Sequence, residues 1–156
     1  MSDFKINDAV YFLSLTRQRI VDIIDNKSSK QLNQIPQGFR NNLIWNATHC
    51  LVTQNLLTYG LSNLPLDIGI GLIDNFRKGT EPKDDVDSEF IEHIKVELIE
   101  SPKRLLNQLK SGVFAEFKNY QTSYGAELTN IEQAIAFNNT HEGLHLGNMM
   151  AMSKLV

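Results

Sequence analysis

His141-Glu142-Gly143-Leu144-His145 forms a His-Glu-x-x-His pentad close to the end of a 156-residue chain. In a helix, imidazoles four residues apart project from one face, a turn from each other, and can share one metal ion. The first chemistry this suggests is zinc proteolysis, with the Glu as general base. Protease versions of the pentad take a third ligand from downstream. The eleven residues after His145 contain no Glu, Asp, His or Cys. The third ligand must come from upstream, where the other two histidines are His49 and His93.

Four helical stretches must position these residues. The first is predicted over 3–26, with Ala9, Leu13, Thr16, Ile20, Ile23 and Ile24 on one face. The second spans about 41–60, closed by Gly60 as a C-terminal cap. The third begins near Asp87 or Ser88 and turns Ile91, Ile94, Leu98, Leu105 and Leu109 inward; Pro102 should kink or restart it, with Ser101 as a cap. The fourth opens on a capping box, Thr129-Asn130-Ile131-Glu132, and runs nearly to the end. Two long connections, 61–87 and 111–128, separate helices two to three and three to four; the second reads as irregular or briefly extended. Connections of that length are usually functional or mobile. One all-α domain over 1–156, a four-helix bundle, follows from this pattern.

At about 100° per residue, Trp45, His49, Val52 and Leu56 fall together on the second helix, which puts His49 on a buried stripe. His93 lies about 200° from Ile91 by the same arithmetic, among Glu89, Glu92 and Glu97, on a solvated acidic face. On the fourth helix Ala134, Asn138, His141, His145, Asn148 and Met152 share one stripe. Buried polar groups need partners, and a metal between facing helices would supply one. His49, His141 and His145 are therefore the expected metal ligands. Glu142 falls at the stripe's edge, as a catalytic base or as a boundary carboxylate bonded to a neighbour. Trp45 and Asn138 are expected to border the pocket. Cys50 reads as a small buried hydrophobe rather than a ligand.

Composition narrows the partners. With 15 Lys and Arg against 18 Asp and Glu, the net charge of −3 gives no basic face for nucleic acid. One cysteine allows no internal disulfide and suits a reducing compartment. The opening Met1-Ser2-Asp3-Phe4-Lys5 lacks the apolar core of a signal peptide, and no apolar run approaches the ~20 residues of a membrane span. The expectation is a soluble cytoplasmic protein.

Asn42-Leu43-Ile44-Trp45-Asn46-Ala47-Thr48-His49, Phe76-Arg77-Lys78-Gly79-Thr80-Glu81-Pro82 and His141-Glu142-x-x-His145-x-Gly147, in this order and spacing, resemble the DinB-like (DinB/YfiT) superfamily. The resemblance implies a four-helix bundle holding a divalent metal through one His of helix two and two of helix four, which here are His49, His141 and His145. It implies a metal-dependent transferase using a low-molecular-weight thiol such as bacillithiol or mycothiol, or a hydrolase, acting on a small-molecule substrate, and a chain that can form a homodimer. Zn²⁺ and Ni²⁺ both suit three imidazoles. Such a site leaves positions open for water or thiolate. The competing expectations are a non-catalytic metal- or ligand-binding module of a stress response, or a scaffold that has lost its metal.

Overall fold

The computed structural model describes residues 6–156, so the expected helix start at residue 3 lies outside the described residues. The fold is all-α apart from one two-stranded hairpin. Helix α1 is Ile6–Asp25, and its buried line of Ala9, Val10, Leu13, Arg17, Ile20, Val21 and Ile24 follows helical spacing with a cation in the middle. A short α2, Ser29–Asn33, was not expected; Ser28 caps it, reciprocally with Gln31.

Helix α3, Leu43–Asn55, starts where the Asn42 side chain accepts the Trp45 N–H at 2.8 Å. Every residue of α3 except Thr53 is buried. A helix covered on all sides lies at the centre of its fold, and α3 packs against α2, α4 (Ile70–Phe76), α5 (Ser88–Ser111) and α6 (Ile131–Met152). Several of its buried polar side chains are satisfied locally, as in Thr48 Oγ1 donating to the Ile44 carbonyl at 2.9 Å and Asn55 Nδ2 to the Leu51 carbonyl at 3.2 Å. From Leu56 to Gly60 the helix loosens into a π turn. Gly60 sits inside that turn rather than capping it, and the left-handed residue beyond is Asn63, at φ 54°. Asparagine tolerates that conformation, so the glycine signal marked the wrong residue.

Helix α5 is capped by Asp87, whose carboxylate accepts the Phe90 N–H at 2.8 Å, and ends on left-handed Gly112. It runs through Pro102 without a restart, so of the two expectations, a kink or a restart, the second does not hold. Ser101 and Pro102 are both buried, and Ser101 Oγ accepts from Arg17 Nη1 at 3.2 Å instead of capping a new turn. Packing of α1 on α5 outweighs the local cost of the proline. Past Gly112 the chain forms the hairpin β1 (Tyr120–Gln121) and β2 (Glu127–Leu128). The cap of α6 is also displaced by one residue. Asn130 accepts the Gln133 N–H at 2.9 Å, the Thr129 N–H donates to the Gln133 side chain at 2.8 Å, and Glu132 stays exposed.

The four long helices are α1, α3, α5 and α6. Helix α1 packs on α5 and α6, and α3 packs on the same two. Ile20, Ile24, Leu43, Ile44, Cys50, Leu51, Ile94, Leu98 and Met149 fill the space between them. Among the described residues no helix is long and apolar enough to cross a membrane.

Candidate metal centre

His49 from α3 and His141 and His145 from α6 meet along the α3–α6 contact, with one ligand-type atom from each lying within 4.8 Å of the others. His93 is exposed on α5 and takes no part. Nε2 of His141 lies 3.2 Å from Nε2 of His49 and 3.1 Å from Nε2 of His145. Two nitrogens on one tetrahedral ion, with bonds of about 2.0–2.1 Å, stand about 3.3 Å apart. Trp45, one turn before His49, stacks on its ring at 4.7 Å and 9° and holds the imidazole plane.

Hydrogen bonds behind the rings decide which nitrogens carry protons. The Phe76 carbonyl, at the end of α4, can only accept, so His49 Nδ1, at 2.6 Å, must donate to it. A neutral His49 then has a bare Nε2. For His145 the chain of reasoning is one step longer. Asn46 Nδ2 donates to the Asn42 carbonyl at 2.8 Å, which turns Asn46 Oδ1 toward His145 Nδ1 at 2.8 Å as an acceptor. His145 Nε2 is therefore bare as well. His141 Nδ1 is buried without a hydrogen-bond partner among the described residues. A proton on His141 Nε2 serves only one of the two facing lone pairs, that of His49 Nε2 being also within reach of the Thr53 hydroxyl at 3.2 Å, and a proton on His141 Nδ1 leaves three lone pairs pointing at one another. Buried polar groups are rarely left so. A divalent cation at the point of convergence satisfies all three, and backing of a ligand imidazole by a carbonyl or amide oxygen is the usual support of a metal-binding histidine.

The electrostatics agree. Burial lowers the affinity of all three rings for a proton. His141 is pushed down to about 3, by burial and then by its two histidine neighbours; His145 is pushed down to about 4, by burial and then by His49. Neutral imidazoles are the ligating form.

Two expected site residues lie elsewhere. Glu142 is fully buried behind the histidines, with Arg17 Nε on one carboxylate oxygen at 2.5 Å and Arg17 Nη2 on the other at 2.6 Å. It does not reach the cavity that the histidines line. Asn138 is 1 % exposed and donates to the same carboxylate at 2.8 Å, so it supports Glu142 and borders no pocket. Arg17 also reaches Ser101 and Gln54, at 3.2 and 2.9 Å, which ties four helices to one guanidinium. The buried arc of α6 runs through Ala134, Asn138, Glu142, Met149 and Met152, with the histidines on its flank and Asn148 exposed. The helical wheel centred on the histidines was therefore rotated by about one residue. Cys50 is buried in the core, its thiol raised well above the ordinary value by burial and by Glu142.

The three histidines open into a cavity of 780 Å³, bordered by Trp45 and Thr53 of α3, the π turn, 78–81, the β-hairpin and α6. The two long connections thus build its mouth. Sequence reasoning missed Asn46, Thr53 and the Phe76 carbonyl. Asn46, one turn from Asn42 and three residues before His49, was legible as a polar residue on a buried helix; a backbone carbonyl leaves no mark in a sequence.

The family model of the DinB superfamily matches residues 13–149, and the chain belongs to that superfamily. No curated protein matches it.

Proposed function

We propose that this DinB-superfamily chain is a metal-dependent enzyme for a small-molecule substrate, a transferase of the low-molecular-weight thiol type or a hydrolase, with His49, His141 and His145 as metal ligands. The observation that carries the reading is the convergence of three Nε2 atoms at the floor of a 780 Å³ cavity. A divalent ion there, Zn²⁺ or Ni²⁺, supplies Lewis acidity and makes a bound water or thiol a stronger acid at neutral pH.

The remaining work falls to side chains. The Phe76 carbonyl and Asn46 keep the Nδ1 protons of His49 and His145 in place, so that the Nε2 lone pairs stay available. Trp45 fixes the His49 plane and is itself anchored, its Nε1–H donating to Thr80 Oγ1 at 3.2 Å. Thr53 Oγ1, 3.2 Å from His49 Nε2, is the neutral hydroxyl nearest the floor and can hold a proton of an entering thiol or water. Phe137, Leu57 and Leu61 line the walls and limit bulk water.

The test is elemental analysis of protein purified without a metal-affinity tag, followed by Co²⁺ loading and titration with small thiols. One ion per chain and a visible spectrum that changes with thiol support the transferase reading. One ion with a spectrum indifferent to every thiol, together with ester or amide turnover, supports the hydrolase. An ion that alters neither reaction supports the non-catalytic binding module, and no stoichiometric ion defeats the proposal.

A further inference from the structure

The cavity walls are more particular than its floor. Several large apolar side chains that remain exposed gather there: Leu56 at 37 %, Tyr120 at 43 %, Leu144 at 51 % and Tyr124 at 56 %. Tyr124 meets Phe137 edge-on at 5.3 Å and 88°, an aromatic corner between the hairpin and α6. Apolar groups collected on a concave surface suit a ligand with an apolar body, because burying them there removes unfavourable water contact.

The charge at the mouth runs against that of the chain. The protein carries a net charge of −3, yet the cavity is bordered by three cations, Arg40, Lys78 and Lys118, and one carboxylate, Glu81. Glu81 pairs with Arg40. Lys78 and Lys118, one from each long connection, have no ion-pair partner among the described residues. Two uncompensated ammonium groups at the opening of a cleft attract anions and repel cations.

We infer that the cavity selects a small organic anion with an apolar body, its apolar part against Tyr124, Phe137 and Leu144 and its negative group held by Lys78 and Lys118. The inference rests on the cavity being the substrate site, as proposed above, but not on the metal. Lys78 and Lys118 are then specificity-determining residues.

The test compares 4-phenylbutyrate with its neutral isostere 4-phenylbutanamide by calorimetric titration. The proteins are the wild type, the double variant Lys78→Gln/Lys118→Gln, and His141→Ala. The acid should bind the wild type about tenfold more tightly than the amide, as fits two exposed charges acting in a high dielectric. The preference should narrow at high salt, persist in His141→Ala and vanish in the lysine variant, which still takes up metal. Equal affinity for acid and amide in the wild type overturns the inference, as does a preference that survives loss of both lysines. A preference lost in His141→Ala and kept in the lysine variant also overturns it, because the carboxylate is then read at the histidines. Metal uptake is scored separately, so a wild type that binds no ion but prefers the acid defeats the metal reading alone.

Discussion

His141 and Glu142 are neighbours on α6, yet they belong to two polar clusters built on opposite plans. Around Glu142 the protein answers every charge with another group: a fully buried carboxylate meets a fully buried guanidinium through two short hydrogen bonds, and Ser101, Gln54 and Asn138 take the remaining valences nearest them. Around His141 three ring nitrogens face one another, with the Thr53 hydroxyl beside that of His49, on the wall of an open cavity. Both clusters lie between helices, but Arg17 and Glu142 are fully buried whereas His141 and His145 are half-buried. Charge pairing separates them further. The closed cluster ties helices together with every charge paired, although Gln54 Nε2 and Asn138 Oδ1 have no hydrogen-bond partner among the described residues, and the open one turns convergent ring nitrogens toward a cavity.

The largest expected effect breaks the closed cluster. Arg17→Met strands the Glu142 carboxylate in the core and should lower unfolding free energy by about 3–5 kcal/mol. Adding Glu142→Leu removes the lone charge and should recover much of that loss. Urea titration of the three proteins checks both statements; a single variant as stable as wild type would mean that the pair is open to water. By contrast, His141→Ala should abolish stoichiometric metal uptake, with affinity down by more than about 100-fold, while circular dichroism keeps its helical signal. Helix loss on that substitution would make the two clusters alike and the ion structural.

A smaller change sharpens the comparison from behind the rings. Asn46→Leu removes the acceptor that fixes His145 and should weaken metal binding about 10–100-fold with the ligands all present. Unchanged affinity would show that the His145 tautomer needs no support. A separate effect, on stability rather than on metal binding, is a pH dependence of the metal-free protein. His141 and His145 bind protons in the unfolded chain below their ordinary value of 6.5, but in the folded state only near 3 and 4. Between those limits the unfolded chain holds more protons, so stability falls as pH drops from about 6.5 and is flat above it. Chemical denaturation at pH 7 and pH 5 should reveal the slope, and it should become shallower in His141→Ala, where His145 still contributes.

Much of this arrangement can be read from residue types and spacing. The stripe holding Trp45 and His49, the i, i+4 pair on α6 and the acidic surroundings of His93 sort the four histidines by sequence alone. What escapes is the interior of the wheel. A stripe is located by its apolar residues, and α6 buries Asn138 and Glu142 while exposing Leu144 and Met150. A wheel centred on the two histidines therefore lay about one residue away from the true centre, keeping Asn138 and missing Glu142. Arg17 hid for the same reason. It stands four residues after Leu13 and three before Ile20, in phase with the core of α1, and only its type argued against burial. The continuous α5 and the one-residue shift in the α6 cap are cases where long-range packing, or a side chain one position along, prevailed over local signals.

Cys50 carries a further consequence. Its sulfur is 0 % exposed and its backbone carbonyl lies 3.4 Å from Arg17 Nη2, although its chain neighbour His49 lines the cavity. A thiol reagent can reach it only when α3 parts from its neighbours, so its rate of alkylation is a clock for those openings. A ligand that bridges α3 and α6 should slow the clock in proportion to its own affinity, while one that merely rests on the outer surface should leave it unchanged. The protein thus contains, next to its candidate site, an intrinsic chemical gauge of what holds its central helix in place.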